Sequence, residues 1–103
     1  MTDQRSQPAD DRHLKSQEML KIAVELTDGD PTRVDLTCPY CGSGPLTYSY
    51  TLRAWAKGYG FYLLCRTCGH CSHYALAEKP PNYRDDLVQP EFQRLEDEAH
   101  LKI

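Results

Sequence analysis

Long apolar runs are missing from this 103-residue chain. The longest, Phe61-Tyr62-Leu63-Leu64-Cys65, is a fraction of the roughly 20 residues that a membrane-spanning helix needs. Residues 1–11 are polar and charged with no apolar stretch, so no secretory leader is expected. Both absences predict a cytoplasmic protein with no membrane partner. Acidic residues are missing between Asp35 and Glu78. That stretch has no carboxylate to act as general base beside a catalytic metal. Low-complexity tracts are also missing. A chain of this length is one domain at most.

What is present is cysteine. Cys38-Pro39-Tyr40-Cys41-Gly42 and Cys65-Arg66-Thr67-Cys68-Gly69 repeat one pattern, Cys-x-x-Cys-Gly. Two intervening residues let both sulfurs turn toward one ion, and the glycine permits a tight reversal beside it. Four sulfurs suit one tetrahedral structural zinc. Iron at four sulfurs is the alternative ion, as rubredoxins also use paired knuckles of this kind. Cytosolic thiols stay reduced, which favours a metal over a disulfide scaffold. A segment this small buries little core, and a structural zinc contributes about 10–16 kcal/mol of apparent binding free energy. The metal-free segment is expected to be loose or unfolded.

The two knuckles and the residues between them resemble the zinc-ribbon family over residues 37–77. The resemblance implies a small antiparallel sheet, with a hairpin running between the knuckles and a closed zinc site. It carries the ligand role to Cys38, Cys41, Cys65 and Cys68. Ribbons serve many processes, so the resemblance constrains function weakly. Transcript-cleavage factors of this kind carry an acidic pair at the hairpin tip. The stretch Arg53-Ala54-Trp55-Ala56-Lys57-Gly58-Tyr59-Gly60 has none, and that activity is not carried over. A closed four-sulfur site without a nearby base is not catalytic, and the chain reads as a non-enzyme.

Cys71 is the fifth thiol. It reads as a small buried thiol, with a redox-sensitive spare thiol and an extra metal ligand as the competing roles. His70 and His73 flank the site, but four thiols already fill a tetrahedron.

The predicted fold is a small α+β metal-stabilised domain: a three-stranded antiparallel zinc ribbon with flanking N- and C-terminal helices. Residues 1–10 read as a disordered tail. Residues 11–28 read as an amphipathic helix with Met19, Ile22, Ala23 and Leu26 on one stripe, widened by Leu20 and Val24. Gly29 reads as its C-cap, with Pro31 preventing continuation. The stripe is expected to cover the sheet, with a coiled-coil or partner-docking helix as the alternative. The ribbon unit takes residues 34–77, opening on a short strand at Val34 and Leu36. Leu46, Tyr48, Tyr50 and Leu52 then take one strand face, and Thr47, Ser49, Thr51, Arg53, Trp55 and Lys57 the other. Gly58-Tyr59-Gly60 reads as the hairpin tip, and a further strand starts at Cys71. Residues 78–89 form a Pro-containing linker. Residues 90–103 form an acidic helix with Phe92, Leu95 and Ala99 inward and Glu91, Glu96, Asp97 and Glu98 outward.

Charge divides along these lines. Residues 1–36 and 78–103 each carry three more acidic than basic side chains, whereas residues 37–77 carry only Arg53, Lys57 and Arg66. An overall charge of −3 opposes non-specific nucleic-acid binding. Arg53, Trp55, Lys57, Tyr59 and Arg66 nevertheless form a candidate binding surface, since alternating cations and aromatics hold phosphates and stack bases. The same residue types make protein hot spots. The leading reading is therefore a non-enzymatic interaction module that docks on a larger protein, of which an inhibitor or immunity-type protein is one form. A nucleic-acid-binding ribbon is second, and an iron-bearing electron carrier third.

Overall fold

The computed structural model describes residues 7–101, without the side chains of residues 7–11, 100 and 101. Its elements are a helix α1 (Gln7–Thr27), strands β1 (Thr47–Arg53), β2 (Gly58–Leu64) and β3 (Cys71–Leu76), and a helix α2 (Pro90–Leu101). The strands form one antiparallel sheet in the order β1-β2-β3. No helix among the described residues is long and apolar enough to cross a membrane. The tail expected over residues 1–10 falls partly outside the described residues; residues 7–10 already belong to α1.

Each face of the sheet receives one helix. Tyr50 pairs with Phe61, and Phe61 with Tyr74, so these rings share a face with Tyr48 and Leu63. Met19, Ala23 and Leu26 of α1 pack there in a common core with Tyr50, Phe61, Leu63, Cys38 and Cys65. The stripe on α1 is narrower than expected. Leu20 and Val24 are each 48% exposed, because α1 meets the sheet along one line only. Gly29 does not take the left-handed conformation of a C-cap glycine. Asn82 closes the helix end instead: its Nδ2 donates to the Leu26 and Gly29 carbonyls, and its N–H to that of Thr27.

The opposite face carries Ser49, Thr51, Gly60 and Tyr62 beneath α2. Here the expected orientation of α2 is corrected. Phe92 and Glu96, one turn apart, are the buried pair, whereas Leu95 is 45% exposed and Ala99 is exposed. Glu96 points inward because the sheet offers it partners. Thr51 Oγ1 donates to Glu96 Oε1 at 2.9 Å, His73 Nε2 lies 2.9 Å from the same oxygen, and Arg53 Nε is 3.8 Å from Oε2.

Residues 78–89 are more than a linker. Tyr83 packs edge-on against Tyr50 and Tyr59 on the α1 face. The chain then passes around the β1 edge, where Val88 forms a parallel bridge with Tyr50. Gln89 Nε2 donates to the Tyr48 carbonyl. Gln93 accepts from the Leu52 N–H and donates to the Leu52 carbonyl. The Tyr48 carbonyl and both Leu52 backbone groups are thereby satisfied and Val88 runs alongside Tyr50, which covers that sheet edge.

Two further expectations are corrected. Val34 and Leu36 are not in a strand. The hairpin turns at Ala54–Ala56, a 3-10 turn closed by left-handed Lys57 (φ 52°), rather than at residues 58–60. Gly58 and Gly60 lie within β2 for steric reasons. A Cβ on Gly58 would stand 2.8 Å from the Leu76 carbonyl oxygen, and one on Gly60 would overlap Thr51 Oγ1 and Glu96 Oε1.

Candidate metal centre

The two knuckles are built alike. The Cys38 N–H donates to the Ser43 carbonyl and the Gly42 N–H to the Cys38 carbonyl. The Cys65 N–H donates to the His70 carbonyl and the Gly69 N–H to the Cys65 carbonyl. Gly42 (φ 75°) and Gly69 (φ 82°) are left-handed, and a Cβ on either would meet nothing within 4 Å. Glycine is therefore needed for its backbone conformation alone.

β1 leaves the first knuckle and β2 enters the second, which brings the four sulfurs together within 4.8 Å of one another. Cys38 Sγ lies 3.8 Å from Cys68 Sγ, and Cys41 Sγ 3.6 Å from Cys65 Sγ. Metal–sulfur bonds of about 2.3 Å in a tetrahedron place sulfurs about 3.8 Å apart. A disulfide would need about 2.05 Å, and every described cysteine is a free thiol. The donor set thus fits one tetrahedrally bound metal ion. Cys38 and Cys65 are buried, and Cys41 and Cys68 face outward.

Backbone N–H groups aim at the sulfurs, as thiolates require. The Tyr40 N–H donates to Cys38 Sγ at 3.4 Å. The Cys68 N–H, aided by the Cys41 and Cys68 thiols and the Thr67 N–H, holds the Cys65 thiol down to about 6. Cys41 goes the other way. The Ser43 N–H draws it down, but burial and the three neighbouring thiols outweigh that and push it up to about 11. Tyr40, inside the first knuckle, stacks on the ring of His70, just past the second, at 3.8 Å.

The remaining cysteine and the histidines stay out of the cluster. Cys71 begins β3, is exposed rather than buried, and belongs to no ligand group. His70 engages the Ser72 hydroxyl and His73 engages Glu96.

The candidate binding surface comes apart. Arg53, Trp55 and Lys57 do not alternate on one strand, because the chain turns at Ala54–Ala56. Arg53 faces buried Glu96, and Arg66 Nη2 bonds Glu91 Oε1 at 2.8 Å. Tyr59 leans on Tyr83. Trp55, 37% exposed, and Lys57 remain at the tip, joined by Leu52, which is 45% exposed. Sequence pattern alone missed Glu91 and Glu96. The available signal was their position on an acidic helix, opposite a segment whose only charges are cationic.

No family model matches the chain, and no curated protein or solved structure is significantly similar to it.

Proposed function

We propose that the chain is a zinc ribbon that docks on a larger protein and performs no catalysis. Zinc is the ion that suits a closed set of four thiolates, and its role here is to fix the hairpin. The observation that carries the docking reading is the hairpin tip. Leu52 and Trp55 present apolar and aromatic surface at the hairpin end of a two-sided sheet, opposite the end that carries the four-cysteine cluster. A rigid aromatic anchor of this kind is a common hot spot in protein recognition. The placement of the cations argues against the nucleic-acid alternative. Arg53 would have to leave the buried Glu96 to reach a phosphate. Arg66 lies beyond the opposite end of β2 from Lys57 at the tip, so the three do not form one phosphate-binding surface.

The test is photocrosslinking from position 57 in cells, followed by purification of the crosslinked protein and titration against the free chain. The expected result is a defined adduct whose reconstituted affinity falls at least tenfold in Trp55→Ala, a loss of about 1.4 kcal/mol. No adduct, or a complex indifferent to Trp55→Ala, refutes the docking reading.

A further inference from the structure

The two edges of the sheet are treated differently. On β1, Gln89 takes the outward Tyr48 carbonyl, Val88 bridges Tyr50, and Gln93 takes the Leu52 N–H and carbonyl. Backbone direction alternates along an antiparallel ladder. Given the register, Tyr59, Phe61 and Leu63 of β2 therefore face β3, and Cys71, His73 and Ala75 of β3 point their N–H and C=O groups away from the sheet. No described residue hydrogen-bonds those outward groups. The strand Cys71-Ser72-His73-Tyr74-Ala75-Leu76 contains no proline, lysine or carboxylate. It thus lacks the devices that keep a free edge from pairing. α2 lies over the sheet face, mainly on β1, and reaches β3 through the Glu96–His73 side-chain contact, so among the described residues the backbone edge of β3 stays open.

We propose that β3 is the pairing edge for a second copy of this chain, joined antiparallel about a two-fold axis normal to the sheet. The strand is self-complementary in one register. His73 faces the partner's His73, and Cys71 faces the partner's Ala75. This register pairs all the outward residues and keeps each sheet face continuous with its counterpart. A lysine or carboxylate in the strand would place like charges close together across the axis; none is present. The shared sheet runs β1-β2-β3 and then the same strands in reverse, with both outer edges covered by the segment around Val88. A closed isologous pair results, with no free edge left to propagate. The proposal is independent of the docking reading, which uses the hairpin tip.

The test is sedimentation equilibrium of the full chain, with amide hydrogen exchange read residue by residue over a concentration series. The expected result is a reversible species of twice the 11.8 kDa chain mass. The Cys71, His73 and Ala75 amides should gain protection as it forms. Ala75→Pro removes an outward N–H without touching the ladder to β2, and should weaken association at least tenfold with an unchanged circular dichroism spectrum. Ala75→Lys, which adds a charge to the edge, should act the same way if proline perturbs the strand. A chain that stays monomeric throughout overturns the proposal. So does a dimer that survives both substitutions, or one whose protected amides lie elsewhere.

Discussion

Replacing Glu96 by alanine probes the joint between α2 and the sheet. Its side chain is 4% exposed and collects Thr51, His73 and Arg53. The Arg53 Nε is itself buried with no hydrogen-bond partner, so the Glu96 carboxylate is the compensating charge beside it. Arg53 is 25% exposed, so removing the carboxylate strands its buried partners only in part and costs about 2–3 kcal/mol. For a domain of this size that is at least about 8 °C of melting temperature. Glu91→Ala provides the internal control. It breaks the Arg66 pair, whose side chains are 56% and 50% exposed, and should cost at most about 1 kcal/mol. Glu96→Gln keeps the shape and an acceptor for Thr51 and should fall between the two. Urea melts followed by circular dichroism separate the three variants. If Glu96→Ala costs no more than Glu91→Ala, Glu96 is not the buried keystone of this face and the placement of α2 is wrong.

Other outcomes follow from the same geometry. Gly60→Ala forces a Cβ against Thr51 and Glu96 and should destabilise by about 1–3 kcal/mol, as overpacking does; a neutral melt would contradict the packing of α2. Cys71→Ser should leave metal content per chain unchanged, since Cys71 lies outside the sulfur cluster; a drop in stoichiometry measured by mass spectrometry would assign it as a ligand. Metal affinity should fall as pH falls, because a bound metal must displace thiol protons. With Cys65 held down to about 6, the slope should steepen once acidification protonates that sulfur too; competition titrations that show no pH dependence would contradict thiolate ligation.

Much of the metal site and sheet was legible in the sequence because the signals are local. Each knuckle spans five residues with its glycine, and the left-handed φ of Gly42 and Gly69 answers that spacing directly. Period-two alternation located the two faces of β1: Tyr48 and Tyr50 lie on the α1 side, and Ser49 and Thr51 on the α2 side. What stayed hidden depends on distant partners. Glu96 meets Thr51 from 45 positions away, and on a helix rich in carboxylates nothing local marks one as buried. The glycines at 58 and 60 looked like a turn because glycine signals both turns and close approach. Only the neighbouring Leu76 carbonyl and the Glu96 side chain decide between them. The strand-like pairing of Val88 was equally invisible, since the prolines at 80 and 81 read as the start of a free linker.

The most direct measurement is elemental analysis of the purified chain, paired with thermal melts before and after chelation. One zinc per chain, with the sheet lost on chelation or in Cys38→Ser, is the expected result. A metal-free chain with an unchanged melting temperature would contradict the four-thiol site, and iron in place of zinc would move the centre to redox chemistry.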